Sequence, residues 1–228
     1  GFFGYELGRF IETLPGRAAD DLGLPIIRLG FYDKAILYHH PQNTLTLVAV
    51  ETDGGVSAEA KFAELTRWLN EAKGRPLLRL TDAAIEPVDP ASLRCTMTQG
   101  EYLAALQRIH RHIVDGDVYQ INYSQRFSTS FQAKPAALFD WQNRHNPSPY
   151  AAYLAWGDTA VVSASPELFL NVQAEHVETC PIKGTRPRWA ALPEDDPANR
   201  AQFAALVESE KEQAELAMIV DLERNDLA

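Results

Sequence analysis

Tyr150-Ala-Ala-Tyr-Leu-Ala-Trp-Gly-Asp-Thr-Ala-Val-Val-Ser-Ala-Ser-Pro-Glu-Leu-Phe-Leu-Asn-Val-Gln-Ala-Glu-His-Val-Glu-Thr-Cys-Pro-Ile182 is the stretch that decides the fold class. It breaks into four short strand candidates, Tyr150 to Trp156, Ala160 to Ser163, Leu168 to Val172 and His176 to Ile182, with turns between them. Strands therefore follow one another here without an intervening helix. Longer helical patterns lie outside this block and interrupt the strands rather than alternate with them. That arrangement predicts an α+β fold and not a doubly wound parallel sheet.

Upstream, Thr98-Gln-Gly-Glu101 fits a capping box, in which the Thr oxygen and the Glu carboxylate satisfy backbone N–H groups at a helix start. Tyr102, Leu106, Ile109 and Ile113 continue at helical spacing, and Gly116 lies beyond the end. Val118 to Phe131 alternates and is rich in Tyr, Ile and Phe, which predicts a strand. Pro135 to Arg144 fits a short helix. Nearer the start, Pro25 to Tyr38 and Thr44 to Glu51 are strand-like, with Pro41-Gln-Asn43 as a turn. Ser57 caps a following helix with Phe62, Leu65 and Leu69 as its apolar stripe and Gly74 at its end. Arg75 to Pro90 holds three prolines and reads as a connector. Gly1, Gly4 and Gly8 do not make a dinucleotide fingerprint, since no strand precedes them. Asp196-Pro197 opens the last helical segment, with a cap and a proline at the first helical position.

Composition narrows the function. The 228 residues carry 21 Lys+Arg against 31 Asp+Glu, a formal charge of −10, which argues against nucleic acid or an anionic membrane as the main partner. No apolar run approaches the roughly 18 residues that span a bilayer. Cys95 and Cys180 are too few for a disulfide framework, so a cytoplasmic location is expected. The six histidines show no metal-ligand spacing. The chain begins at Gly1 and stops at Ala228 directly after a dense helical run, which reads as a piece of a longer protein.

Three residues stand out chemically. Lys183 sits in Cys180-Pro-Ile-Lys-Gly-Thr-Arg-Pro-Arg188, where a strand meets a loop bounded by Pro and Gly. Apolar neighbours and the nearby Arg186 and Arg188 would lower its pKa from an ordinary value of about 10.4 and free the amine as a nucleophile. Glu167, in Ser165-Pro-Glu167, opens the strand that should pair with the Lys183 strand and is a candidate general acid/base. The same spacing suits a structural ion pair between the two. Glu215 precedes Leu216-Ala-Met-Ile-Val220, five apolar residues that predict a buried turn. A buried carboxylate needs a partner, either Lys211 one turn earlier or a hard cation such as Mg2+.

Taken together, Gly116-Asp-Val-Tyr-Gln-Ile-Asn-Tyr-Ser-Gln-Arg126, Ser165-Pro-Glu-Leu-Phe169, Pro181-Ile-Lys-Gly-Thr-Arg-Pro-Arg188 and Lys211-Glu-Gln-Ala-Glu-Leu-Ala-Met-Ile-Val-Asp-Leu-Glu-Arg-Asn-Asp226 stand in the order seen in chorismate-utilising enzymes. Phe31-Tyr-Asp33 and Asn146-Pro-Ser-Pro-Tyr150 match as well. The chain resembles the component I branch of the aminodeoxychorismate synthases, sister to anthranilate synthase component I, over nearly its whole length. The resemblance implies an α+β fold of two packed β-sheets flanked by helices, incomplete here. It divides the chain into 1–90, the remainder of an N-terminal region, and 91–228, the first part of the chorismate-binding region.

It also implies the chemistry. Lys183 would attack C2 of the chorismate ring while the C4 hydroxyl leaves; ammonia would then add at C4 and expel the lysine, giving 4-amino-4-deoxychorismate for 4-aminobenzoate and folate synthesis. The sister enzymes typically have Ala at the position of Lys183. Glu167 matches the general acid/base, Gly184 and Thr185 match substrate-contacting positions, and Glu215 matches one of two glutamates that hold Mg2+. Ammonia would come from a glutamine amidotransferase partner. Pro149 and Tyr150 match one wall of a tryptophan effector pocket. The second Mg2+ glutamate and a glycine-rich grip on a substrate carboxylate are expected beyond Ala228. The alternatives are an anthranilate synthase, or an incomplete fragment that binds only a ligand or a partner.

Overall fold

The computed structural model describes residues 1–16, 19–74 and 87–228. The chain divides into two compact units, Gly1–Arg79 and Leu80–Ala228. The connector expected over Arg75 to Pro90 lies largely outside the described residues; its end forms a single 3-10 turn, Pro90–Ser92, capped by Asp89.

In the first unit, strand β1 (Phe2–Phe3) pairs antiparallel with β2 (Ile27–Arg28). Strands β3 (Lys34–His39) and β4 (Thr44–Ala49) form an antiparallel hairpin in register from Lys34↔Ala49 to His39↔Thr44. Asn43 takes φ +51 at the turn, a conformation its short polar side chain tolerates. Helix α1 (Ala58–Ala72) starts at Ser57, whose hydroxyl accepts from the Ala60 N–H at 3.3 Å. It packs on the hairpin through Leu65, which is 1% exposed. Lys61 is equally buried, and its ammonium donates to the Val50 carbonyl at 2.7 Å and pairs with Asp33 at 2.8 Å. The Lys61 hydrogen bond holds the Asp33 carboxyl below its ordinary value. Asp33 of the Phe31-Tyr-Asp33 motif thus ties helix to hairpin.

In the second unit, strand β5 (Arg94–Cys95) pairs with β6 (Phe127–Ser128). Helix α2 (Gln99–Val114) lies between them in sequence and begins with the expected capping box. Thr98 Oγ1 accepts from the Glu101 N–H at 3.2 Å, and Glu101 accepts from the Thr98 N–H at 2.8 Å, which holds the Glu101 carboxyl below its ordinary value. The expected strand over Val118 to Phe131 is a correction: only Phe127–Ser128 enters a ladder. The alternation is real, but among the described residues no strand lies beside 118–126 to receive it.

Helix α3 (Pro135–His145) packs on the hairpin of β7 (Tyr150–Trp156) and β8 (Thr159–Ser165), with the Phe139 and Tyr153 rings 5.7 Å apart. Strands β9 (Leu168–Gln173) and β10 (His176–Cys180) form a second hairpin, whose register shifts between Glu178 and Cys180. The four strands expected between Tyr150 and Ile182 are therefore present, as two consecutive hairpins.

Helix α4 (Pro197–Val207) has Asp196 as its cap, accepting from the Ala198 N–H at 2.8 Å. A break at Glu208 precedes helix α5 (Glu210–Leu227), capped by Ser209. The turn after Glu215 is not buried as expected: Leu216 is 37% exposed, Val220 38%, and α5 buries no residue. Helix α4 packs against it. The fold is α+β, and among the described residues its strands form five two-stranded antiparallel ladders. No helix among those residues is long and apolar enough to cross a membrane.

Candidate active site

The β9–β10 hairpin positions the two residues of most chemical interest at its open end. Ser165 and Glu167 bracket Pro166 in a tight local turn: the Ser165 hydroxyl donates to the Glu167 carbonyl at 3.1 Å and accepts from the Glu167 N–H at 3.4 Å. Glu167 then enters β9 half-buried, and its carboxylate accepts from the Ile182 N–H at 2.9 Å. That bond fixes the carboxylate against the Pro181–Ile182 peptide, one residue before Lys183. Lys183 is half-buried and makes no ion pair with Glu167 or with any other described acid. The structural ion pair open at the sequence level is thus not formed. The acid is anchored to backbone, and the amine carries no competing partner.

Gly184 follows with φ +70, a left-handed conformation that side chains disfavour. A Cβ there would stand 2.9 Å from both a Glu212 carboxylate oxygen and a Leu206 methyl. The Lys183 loop therefore lies directly against α4 and the first turn of α5, and glycine is favoured there by its left-handed backbone and by that approach. Arg186 pairs with Glu212 at 3.5 Å and donates to the Thr185 carbonyl at 3.0 Å. Thr185 is exposed.

Glu215 stands one turn beyond Glu212, half-buried. It does not pair with Lys211, the partner open to it from sequence, which is exposed. As a metal donor Glu215 offers one carboxylate, and the described residues contain no cluster of three His, Cys, Asp or Glu side chains able to hold an ion. Mg2+ is commonly bound through one or two carboxylates plus water and substrate oxygens, so Glu215 suits a part of such a shell and does not make the whole of it.

Pro149 and Tyr150 are exposed at the start of β7. Tyr150 pairs in register with Ser165, so the ladder sets the Asn146–Tyr150 motif opposite the Ser165–Glu167 motif. The two cysteines are free and exposed. Cys180, at the end of β10, has its thiol held above the ordinary value by loss of surrounding water, reinforced by the Glu178 and Glu223 carboxylates.

Two residues escaped the sequence reading. Glu212 supports the loop through Gly184 and Arg186, and its signal was its place three residues before Glu215, on the same helical face. Asn199 is 7% exposed and bonds the backbone of Trp189 and Pro193, fixing the segment after Arg188. No local pattern marks an asparagine for that duty.

The whole chain, residues 1–228, matches the chorismate binding enzyme family. It is 37% identical over its full length to an aminodeoxychorismate synthase component 1 from Salmonella typhimurium, covering 46% of that protein. It is 34% identical to an anthranilate synthase component 1 from Haloarcula marismortui, covering 47% of that protein. The chain thus spans about half the length of the curated relatives it matches. Its fold matches the crystal structure of anthranilate synthase component I from Streptococcus pneumoniae, with a TM-score of 0.81 at 26% identity, over 99% of this chain and 48% of that one. Family match, relatives and fold agree with the ordered motifs that surround Lys183: the chain belongs to the chorismate binding enzymes.

Proposed function

We propose that this chain carries the nucleophile and the acid/base of an aminodeoxychorismate synthase component I. The observation that supports the reading most is the Glu167 carboxylate bonded to the Ile182 N–H, one residue before a Lys183 with no ion-pair partner among the described residues, on a loop whose left-handed turn Gly184 favours. In this reading the neutral Lys183 amine attacks C2 of the chorismate ring and becomes an ammonium, both conjugated ring double bonds shift by one position, and the C4 hydroxyl leaves as water with a proton from Glu167. Ammonia then adds at C4, loses a proton to the Glu167 carboxylate, and the lysine departs with its electron pair to give 4-amino-4-deoxychorismate, the precursor of 4-aminobenzoate and folate. Two displacements replace one substitution of a poor leaving group. Glu215 would contribute one carboxylate to Mg2+, which when bound draws electron density from a substrate carboxylate. Gly184 and Thr185 contact the substrate. Ammonia comes from a glutamine amidotransferase, the second component that the relatives' name "component 1" implies for them.

Incubation with chorismate and Mg2+ in the absence of ammonia, followed by intact-mass spectrometry, tests the reading. It is run on this chain and on a polypeptide extended to the relatives' length. The expected product in the extended polypeptide is an adduct of chorismate less one water, mapping to Lys183 and lost in Lys183→Ala. No adduct there, or an adduct on another lysine, overturns the nucleophile. Formation of anthranilate on adding ammonia would assign the chain to the sister reaction instead.

A further inference from the structure

The segment after Lys183 builds a second concavity that the chemistry above does not use. Arg186 to Glu194 folds over α4 and forms an open cavity of 370 Å³, whose lining includes Arg186, Arg188, Glu194, Arg200, Phe203 and Leu206. Neither Lys183 nor Glu167 lines it. Its volume falls in the range of small-molecule sites.

The walls are set before any ligand arrives. The buried Asn199 amide accepts from the Trp189 N–H at 3.0 Å and donates to the Pro193 and Trp189 carbonyls at 2.9 and 3.3 Å. Arg186 is steadied by Glu212 and Arg188 by Glu194, at 3.5 and 3.1 Å. A guanidinium has five N–H donors in a fixed fork, so each of these pairings leaves donors over. Arg200 forms no ion pair or side-chain hydrogen bond with another described residue.

Charge and shape then specify the ligand. Three arginines and one acid, Glu194, line this cavity; Arg186 and Arg188 each face one carboxylate, which leaves Arg200 as its unneutralised charge. Guanidinium forks match carboxylates in a bidentate way. Phe203, 69% exposed, and the Leu206 methyls supply an apolar surface beside them. We infer that this cavity is a binding site for a small carboxylate with a planar apolar body, separate from the Lys183 centre.

Calorimetric titration of the chain with benzoate, and separately with inorganic phosphate, tests the site. Benzoate is expected to bind more tightly than phosphate. Arg200→Ala should weaken benzoate roughly tenfold, the loss of a charged hydrogen-bonded contact, and Arg200→Lys should recover only part of it. Phe203→Ala should weaken benzoate and leave phosphate unchanged. Arg200 and Phe203 are both exposed, so these variants keep the fold, which their unfolding curves would verify. Lys183→Ala should leave benzoate binding unchanged. Unaltered binding in Arg200→Ala overturns the site. Equal affinity for phosphate with no effect of Phe203→Ala overturns the ligand class, and loss of benzoate binding in Lys183→Ala moves the ligand to the proposed reaction centre. Because no readout depends on turnover, failure of the lysine adduct leaves this inference standing.

Discussion

Hairpin β7–β8 pairs without interruption from Tyr150↔Ser165 to Trp156↔Thr159 and packs against α3. Hairpin β9–β10 follows it directly, slips register between Glu178 and Cys180, and leaves Phe169 and Val172 exposed at 73% and 62%. Both turn in two residues and both are strand-rich in sequence. The regular ladder is a platform, stabilised by the helix that covers it. The irregular one ends in the two residues proposed for chemistry, Glu167 and Lys183. A register slip re-aims a strand end, and here it falls one residue pair before the strand gives way to the Lys183 loop. Regularity goes with packing, and irregularity with positioning.

The sharpest way to separate the two duties is Glu167→Gln. The amide oxygen still accepts from the Ile182 N–H, so the loop and the unfolding midpoint should hold. Proton transfer should not: amination with ammonia as donor, measured in the polypeptide of the relatives' length, is expected to fall by roughly 10²–10⁴. Turnover close to that of the unsubstituted protein would remove Glu167 from the mechanism.

Two phenylalanines test the packing side of the contrast. Phe139 is half-buried between α3 and the β7–β8 hairpin, and its loss strips that hairpin of an aromatic contact. Phe139→Ala should cost roughly 2 kcal/mol, below the range for a fully buried ring. Phe169→Ala, on the exposed hairpin, should cost less than about 0.5 kcal/mol. Urea unfolding followed by tryptophan fluorescence measures both; equal losses would erase the distinction between platform and positioning hairpin.

What could be read from sequence was local. The Ser57, Thr98 and Asp196 caps depend on residues within three positions of one another, and all three form as expected. Ser209-Glu-Lys-Glu212 carries the same type of local signal and marks the break between α4 and α5 within the segment that opens at Asp196-Pro197. The Val118 to Phe131 ladder failed for the opposite reason: alternation shows that a segment can pair, not that a partner is there. Glu167 and Lys183 were singled out by motif, and the fold brings them to one end of one hairpin. Their actual link, a carboxylate on the Ile182 N–H, needed the register of β9 against β10, which no local pattern contains. Glu212 meets Gly184 from 28 residues away, beyond the reach of any window.

Cys180, at the end of the slipped strand, gives a chemical readout of that hairpin. Its thiol is held above the ordinary value first by loss of water and then by Glu178. The folded state therefore binds this proton more tightly than the unfolded chain does. Any stability the group contributes is present below the unfolded pKa and is lost as pH rises through the folded one. Alkylation of Cys180 in the native protein should accordingly rise at a higher pH than in the urea-unfolded chain, where the ordinary value is about 8.5. Glu178→Gln should move the native profile part of the way back. Coincident native and unfolded profiles would show that the thiol is not held protonated by its surroundings.

The smallest expected effect bears most directly on the comparison, because it exchanges one detail between the hairpins. The β7–β8 turn places Gly157 at φ +50, and the β9–β10 turn places Ala174 at φ +52. Both sit at the first position of a two-residue turn, where a left-handed backbone matches the twist of the strands. Glycine enters that region freely, whereas alanine brings its Cβ toward the carbonyl oxygen that follows and pays roughly 1 kcal/mol. The two turns thus share a left-handed first residue, at glycine in one and at alanine in the other. Ala174→Gly should stabilise the protein by less than about 1 kcal/mol, since relief of the left-handed strain is partly offset by the greater freedom of glycine in the unfolded chain. Gly157→Ala should destabilise it by a similar amount, and the space beside Gly157 is open, so no clash adds to the cost. The double exchange should come out near neutral if each turn responds only to its own backbone. Urea midpoints of the four proteins form a complete cycle. A destabilising Ala174→Gly would mean that the alanine stiffens the β9–β10 hairpin more than it strains it, and the positioning hairpin would then owe its rigidity to the turn as well as to the Glu167 anchor.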